Sequence, residues 1–286
     1  MKIMKLLSFG EILFDVFPNS SHIGGAPLNF AAHAAKQGAD AWMISAVGGD
    51  SLGKEALQRL KSWNINTQFV NVHPDKQTGK CLVTLDENSI PTYNLRTDVA
   101  YDFIPVPQVN DTFDILYFGT LSLRSEYNLH TVKSLLEKSV CKDVFVDMNI
   151  RPPFFTETTV DFALRNATIV KISDEELPAI IETIFGLNDF NIQYAIKLIA
   201  QKYSNLKLVI LTCGADGSSV YDISNGKTYN CAATPATVVS TVGAGDSFSA
   251  TFITNYWRGA TITQALKRAS EISAFVVSNE EAVPEY

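Results

Sequence analysis

A glycine-rich segment near the C-terminal end of the chain holds the residues best suited to chemistry. Residues 241–248 read Thr-Val-Gly-Ala-Gly-Asp-Ser-Phe, and apolar residues then recur at helical spacing as far as Trp257. Gly243, Ala244 and Gly245 are therefore predicted to form the turn that leads into a helix. Such small residues leave several backbone amide groups open to an anion, and the helix dipole attracts negative charge to the same place. The segment predicts a cradle for a phosphate group.

Asp246 is the acidic residue of this segment. It belongs to the first turn of the predicted helix, where the helix dipole and the free amide groups favour an ionised carboxylate. If a phosphate occupies the cradle, Asp246 lies where an attacking alcohol would approach, so one segment combines charge stabilisation with proton acceptance. The alternative is that Asp246 only caps the helix, as aspartates at such positions often do.

Several other classes of protein are disfavoured by the sequence. It contains neither a GxxxxGK loop followed by Ser or Thr nor a GxGxxG fingerprint, so the two commonest nucleotide-binding turns are absent. The formal charge of -7 disfavours a nucleic-acid binder, because such affinity comes chiefly from Lys and Arg. The four cysteines and four histidines show neither metal-ligand spacing nor a disulfide framework, so we expect reduced thiols.

The beginning of the chain bears on its location. Residues 1–7 resemble the start of a signal peptide, but Glu11 and Asp15 interrupt the apolar run. No stretch approaches the roughly 18 uninterrupted apolar residues of a membrane span. We therefore expect a cytoplasmic protein.

Short apolar runs alternate with amphipathic helical segments along the chain. This alternation is typical of a mostly parallel sheet flanked by crossover helices, so the predicted class is α/β. The predicted core strands are residues 6–9, 42–47, 115–118, 144–146, 169–172 and 208–211. The predicted helices are residues 27–37, 54–63, 127–138 and 193–203, with a last pair after Gly245.

One region departs from the alternation. Residues 79–96 read as two extended segments around the polar turn 86–89, which predicts a hairpin. Residues 15–18 add a further short strand, so we predict a small β appendage formed by about residues 14–23 and 79–103, acting as a lid. The alternative is an ordinary antiparallel edge of the main sheet. Because no repeat or flexible linker divides the sequence, residues 1–286 are predicted to form one domain.

Three separated motifs resemble those of a known family. Residues 241–248 resemble the C-terminal signature of the PfkB, or ribokinase-like, carbohydrate kinases. Residues 24–31 (Gly-Gly-Ala-Pro-Leu-Asn-Phe-Ala) and residues 46–53 are similar to the N-terminal signature in order and spacing. Residues 212–217 (Thr-Cys-Gly-Ala-Asp-Gly) resemble the nucleotide-side loop. The resemblance implies a ribokinase-like sheet flanked by helices, with a small β lid.

The same resemblance implies a sugar site. Its residues would be Asp15, Gly25, Asn29, Asn149 and Arg151. In related kinases the aspartate hydrogen-bonds sugar hydroxyls, Gly25 and Asn29 match positions that approach the sugar, and residues 147–151 match a DxNxR segment at the end of a strand. Taken alone, Asp15 reads as a turn residue, Gly25 and Asn29 as a helix-capping turn, and Arg151 as a partner of Asp147.

An ATP site is implied on the other side of the turn. Its residues would be Ser173, Glu176, Thr212, Gly214, Gly217 and Asn279. Ser173 and Glu176 match the family's NxxE element with Ser in place of Asn, and Glu176 would hold Mg²⁺ through water. Taken alone, these two residues form a capping box. Ser240 stands where many members carry an Asp that helps to bind a monovalent cation, which leaves activation by K⁺ open.

The implied reaction transfers the γ-phosphoryl of ATP to a primary hydroxyl of a free sugar. Asp246 would be the base, the amides of residues 243–246 the anion hole, and Mg²⁺ would bridge the phosphates. The opening GEILFDVFP most resembles bacterial fructokinases, which makes D-fructose the first expectation. Ribose, 2-keto-3-deoxygluconate and a nucleoside stay open, as does a catalytically silent sugar-binding or regulatory protein. A homodimer is expected, because the lid of related kinases often pairs across a dimer interface.

Overall fold

A nine-stranded sheet runs through the part of the chain that the computed structural model describes, which is residues 3–17, 20–85, 91–138 and 140–286. From one edge to the other its strands are β13 (Lys227–Cys231), β12 (Ser218–Asp222), β11 (Leu208–Thr212), β10 (Ile169–Ser173), β9 (Cys141–Asp147), β8 (Phe113–Gly119), β1 (Lys5–Phe9), β4 (Asp40–Gly48) and β5 (Asn66–His73). Neighbours from β11 to β5 are parallel, whereas β12 and β13 form an antiparallel edge. The α/β prediction is confirmed.

All six predicted core strands belong to this sheet, but three of its strands were not predicted. Strand β5 reads Asn-Thr-Gln-Phe-Val-Asn-Val-His and is half-exposed along most of its length, so it lacks the apolar run of a buried strand. Strands β12 and β13 are short and lie at the edge, where one face meets solvent. Polar edge strands give a weak sequence signal because only part of each strand is buried.

Helices cover both faces of the sheet. They are α1 (Ala26–Lys36), α2 (Ser51–Ser62), α3 (Glu126–Glu137), α4 (Glu157–Asn166), α5 (Leu177–Phe185), α6 (Ile192–Lys202), α7 (Ala244–Trp257) and α8 (Ile262–Val277). Apolar residues of α1, α7 and α8 pack on one face, and those of α3 to α6 pack on the other. Helices α4 and α5 were not predicted: they are 10 and 9 residues long, so each gives only a short helical pattern in the sequence. None of the helices described here is long and apolar enough to cross a membrane.

The packing of α1 on the sheet fixes the beginning of that helix. Phe30 stacks on Tyr117 of β8 with ring centroids 3.7 Å apart, and it also packs against Phe145 of β9. All three rings are fully buried. Burying an aromatic side chain stabilises the folded chain by about 1.5–3 kcal/mol, so α1 is held firmly over the centre of the sheet.

A second sheet of four strands lies beside the main one. Its order is β3 (Ser21–Gly24), β2 (Leu13–Val16), β6 (Gly79–Leu85) and β7 (Pro91–Leu95). Strands β6 and β7 pair antiparallel, which confirms the predicted hairpin, although its turn at residues 86–89 lies outside the described residues. Strand β2 begins at Leu13, two residues before the predicted 15–18 strand, and pairs parallel with β6. Two distant stretches of sequence therefore build this sheet, and it is separate from the edge of the main one.

Candidate active site

The carboxyl ends of the parallel strands bring the polar residues of the site together. Asp147 is the last residue of β9, Ser173 the last of β10 and Thr212 the last of β11. Ser173 and Thr212 lie side by side in the strand register. Ligands of open α/β sheets bind outside this edge, so the topology selects it as the place for chemistry.

Residues 243–246, named here the glycine turn, begin α7. Gly243 precedes the helix with φ of 80°, and a methyl group added there would lie 2.5 Å from the carbonyl oxygen of Ala282. Only glycine meets both conditions without strain. Ala244 and Gly245 are already helical, rather than part of a turn before the helix as predicted. The first amide groups of a helix have no partner within the helix, so they are available to an anion.

Asp246 lies between α7 and α1. Its Oδ2 accepts a hydrogen bond of 2.8 Å from Nδ2 of Asn29, and no side chain caps α7. Asp246 is therefore not a simple helix cap. Burial raises the pKa of Asp246 to about 6, against the opposing effects of Asn29, Lys171 and Arg151. Loss of hydration at this depth opposes the ionised form that the helix dipole was expected to favour. A pKa near 6 still leaves the carboxylate mostly ionised at neutral pH.

Asn29 itself has an unused polar atom. Its side chain is 3% exposed, and its Oδ1 has no hydrogen-bond partner in the part of the chain that the structure describes. A buried acceptor without a partner costs about 1–3 kcal/mol, so such atoms are generally satisfied by water or by a ligand. Asn29 can thus hold Asp246 through Nδ2 and accept a hydrogen bond from a ligand hydroxyl at Oδ1.

Arg151 lies within electrostatic reach of both Asp15 and Asp246. Arg151 acts on the carboxyl groups of Asp15, Glu11 and Asp246 alike, lowering the pKa of each against the rise that burial causes, which places its guanidinium near all three. Arg151 is exposed, and Asp147 pairs with Lys171 instead, so the alternative of an Asp147–Arg151 pair is wrong.

Backbone conformation shapes the same region. Gly25 immediately precedes α1 with φ of 115°, and a methyl group added to it would lie 2.4 Å from the carbonyl oxygen of Glu11. Asn149 has a φ of 38°, a left-handed value that is uncommon outside glycine. Such values are found at functional sites more often than elsewhere, because the surrounding structure must maintain them.

Ser173 and Glu176 exchange the two hydrogen bonds of the predicted capping box, but in a turn that precedes α5 rather than at its first residues. The Ser173 amide donates to Oε2 of Glu176 over 2.8 Å, and the Glu176 amide donates to Oγ of Ser173 over 3.2 Å. Oε1 of Glu176 also accepts from the amide of Ile150 over 2.8 Å. These bonds fix the carboxylate between the ends of β9 and β10 and leave lone pairs free for water.

The remaining predicted ATP-side residues lie in two places, at the end of β11 and after α8. Thr212 is half-buried, and Gly214 and Gly217 follow it in a loop where both have positive φ. A methyl group on Gly217 would lie 2.3 Å from the carbonyl oxygen of Cys231, so this loop packs tightly on β13. Asn279 follows α8, and its Nδ2 donates to the carbonyl of Phe275.

Sequence reasoning missed two buried charged residues. Lys171 lies inside β10 and pairs with Asp147 over 3.0 Å, and Oε2 of Glu11 accepts a short 2.5 Å hydrogen bond from Oγ of Ser122. The available signal for Lys171 was a lysine within the apolar run Ile-Val-Lys-Ile of a predicted central strand. Charged residues are rarely buried unless they are paired, so such a position points to a partner on a neighbouring strand.

The fold and the comparisons with known proteins agree on the class of molecule, which is a carbohydrate kinase of ribokinase-like fold. The chain belongs to the family described as pfkB family carbohydrate kinase, whose sequence pattern matches residues 5–285.

Individual relatives are more distant. A fructokinase of Salmonella typhimurium is 27% identical over 261 residues, which cover 86% of this chain and 82% of that protein. A 5-dehydro-2-deoxygluconokinase of Bacillus velezensis is 28% identical over 286 residues, which cover 93% of this chain and 83% of that protein. The crystal structure of a fructokinase from Vibrio cholerae O395 with fructose, ADP and calcium ion has a TM-score of 0.83 at 23% identity, covering 98% of this chain and 95% of that one. At this identity the structural likeness shows the fold.

Proposed function

We propose that this chain transfers the γ-phosphoryl of ATP to a primary hydroxyl of a free sugar, and that the sugar is D-fructose. The observation that carries the proposal is the half-buried Asp246, held by Asn29 at the first turn of α7 directly after Gly243. This arrangement places a proton acceptor beside a set of helix amides suited to phosphate.

Asp246 is the proposed general base. It accepts the proton of the sugar hydroxyl while the hydroxyl oxygen bonds to the γ-phosphorus and the bond from that phosphorus to the ADP oxygen breaks. The amides of Gly243, Ala244, Gly245 and Asp246 stabilise the negative charge of the transferring group. Asp15, Gly25, Asn29, Asn149 and Arg151 are proposed to hold the sugar.

On the nucleotide side, Ser173, Thr212, Gly214, Gly217 and Asn279 are proposed to contact ATP. No cluster of three or more His, Cys, Asp or Glu that could hold a metal ion occurs among the described residues. This fits Mg²⁺, which keeps several waters and is held largely by substrate phosphates. Glu176 would orient those waters, and the ion would supply charge neutralisation at the phosphates.

The choice of fructose is supported by the fructokinase relative at 27% identity, but a 5-dehydro-2-deoxygluconokinase is as similar, at 28% identity. The small sheet of β2, β3, β6 and β7 is the proposed lid, since Asp15 lies on β2 and is therefore positioned by that sheet. The pocket lining that the lid supplies would decide between sugars.

The test is ADP release by purified protein with Mg-ATP and a panel of fructose, ribose and 2-keto-3-deoxygluconate. Asp246→Ala should lower kcat on the preferred sugar by about 10²–10⁴-fold, the usual contribution of a positioned base. Sugar affinity should change much less. Asp143→Ala, which alters an exposed aspartate of β9, is the matched control and should keep full activity.

Three results would alter the proposal. Turnover on another sugar would replace fructose and keep the mechanism. Equal loss of sugar binding and turnover in Asp246→Ala would remove Asp246 from the role of base. Binding of ATP without turnover on any sugar would favour a silent sugar-binding protein.

We also propose that the chain forms a homodimer through the lid. Its β7 and β3 are the outer strands of the small sheet, and outer strands can pair with a second copy. Light scattering at micromolar concentration should give twice the chain mass, and a single-chain mass would contradict the proposal.

A further inference from the structure

Lys171 is a charged residue buried within the main sheet. It is 7% exposed and lies in β10, one of the central parallel strands. Its Nζ pairs with Oδ1 of Asp147 on the neighbouring strand β9 over 3.0 Å. Removing an ammonium ion from water is costly, so a buried lysine requires partners that offset the loss of hydration.

The partners of Lys171 connect it to the glycine turn. A methyl group added to Gly245 would lie 3.2 Å from Nζ of Lys171, so the ammonium ion lies directly against the backbone of the turn. Asp147 accepts a second hydrogen bond of 3.2 Å from Oγ of Ser249, which is on the same helix as Asp246. The ion pair thus joins strands β9 and β10 to the first turns of α7.

Carboxylates outnumber cations around Lys171. Burial alone would lower the pKa of Lys171, but Asp147, Glu176 and Asp246 raise it above its usual value. The ammonium ion is therefore charged throughout the physiological range. It is a fixed positive charge at the point where a phosphoryl group would add further negative charge.

We propose that Lys171 is a positioning residue that packs against the backbone of the glycine turn and keeps the Asp246 carboxyl ionised at neutral pH. This inference rests on the proposed role of Asp246 as base. Lys171 does not contact the sugar in this account; it acts through the backbone of Gly245 and through its charge.

The groups that face Asp246 define what else could set its protonation. They are Lys171 on β10, Asp147 on β9, Arg151 after β9, Glu11 after β1, Asn29 on α1 and Tyr117 on β8. Lys171 and Arg151 favour the carboxylate, whereas Glu11 opposes it. Arg151 is exposed, so solvent and salt screen its charge, whereas Lys171 is buried and paired with Asp147, so its charge acts on Asp246 with less screening.

The experiment compares Asp147→Asn with the double variant Lys171→Met/Asp147→Asn. Removal of Lys171 alone would leave the Asp147 carboxylate buried without a partner. Both variants lack that carboxylate, so both are expected to fold. Near-ultraviolet circular dichroism checks their folding. The titration of Asp246 is measured by carboxyl ¹³C NMR, with its resonance identified by its loss in Asp246→Asn. Lys207→Met, which removes a lysine paired with Asp143 over 2.5 Å, is the control.

The pKa of Asp246 should be about one to three units higher in the double variant than in Asp147→Asn, the usual effect of a nearby opposite charge. The acid limb of the kcat–pH profile should move upward by the same amount, with little change in KM for the sugar. Lys207→Met should leave both unchanged. Equal pKa values for Asp246 in the two compared variants would overturn the proposal and leave Lys171 a structural residue. Because the NMR titration needs no turnover, it decides the role of Lys171 even if no sugar is phosphorylated.

Discussion

Both aspartates of strand β9 pair with a lysine, and the two pairs differ in environment more than in chemistry. Near the amino end of β9, Asp143 pairs with Lys207 over 2.5 Å, with side chains 29% and 62% exposed. At the carboxyl end, Asp147 pairs with Lys171 over 3.0 Å, with side chains 1% and 9% exposed. The Asp143–Lys207 pair is shorter, but it contributes less to the free energy of unfolding because water and salt screen it. Burial, rather than contact distance, decides which pair contributes more to stability.

The largest expected effect comes from breaking each pair in turn. Lys171→Met leaves Asp147 buried without its partner and should lower the free energy of unfolding by about 3–5 kcal/mol at pH 7.5. Lys207→Met should lower it by only about 0.2–1 kcal/mol, the usual value of an exposed pair. Urea unfolding of both variants beside the wild type measures the difference. Similar losses would mean that the two environments are energetically equivalent and that the comparison is wrong.

A smaller effect of opposite sign is expected at Asp246. Burial raises its folded-state pKa to about 6 from the ordinary 3.8, so folding favours the protonated form. The associated stability is fully present below about pH 4 and is lost as the pH rises through 6. Asp246→Asn mimics the protonated carboxyl and should therefore increase the free energy of unfolding by about 1–3 kcal/mol at pH 8, with no increase at pH 4.

Asp143→Asn is the comparison for this prediction, since it removes an exposed carboxylate from the other end of β9. It should lower stability slightly at pH 8 because a weak ion pair is lost. Thermal unfolding at the two pH values separates the variants. A loss of stability in Asp246→Asn at pH 8 would show that the buried carboxylate is not held at an energetic cost.

The features that could be predicted from the sequence are those encoded locally. Gly243 and Asp246 are neighbours in the chain, so the beginning of α7 and the acid in its first turn were readable from spacing alone. The Ser173–Glu176 box is equally local. Strand β10 was also predicted, because parallel central strands form continuous apolar runs.

The features that could not be predicted depend on contacts between distant segments. The pairing of Lys171 with Asp147 follows from the register of β9 and β10, in which these two residues are direct neighbours. The raised pKa of Asp246 follows from how deeply α1 and α7 bury its carboxyl, a property of packing that no short motif contains. The local dipole argument left out the loss of hydration, which is the largest cause of that pKa.

The hydrogen bond between Asn29 and Asp246 joins residues 217 positions apart in the sequence. A folding intermediate that has formed the first strands and α1 contains Asn29 in place but lacks Asp246. An intermediate that has formed α7 alone contains Asp246 without Asn29. Recovery of turnover during refolding would consequently report the final docking of α7 onto α1, later than any signal of secondary structure. Enzyme activity during refolding would therefore measure the fraction of molecules in which α1 and α7 have packed together.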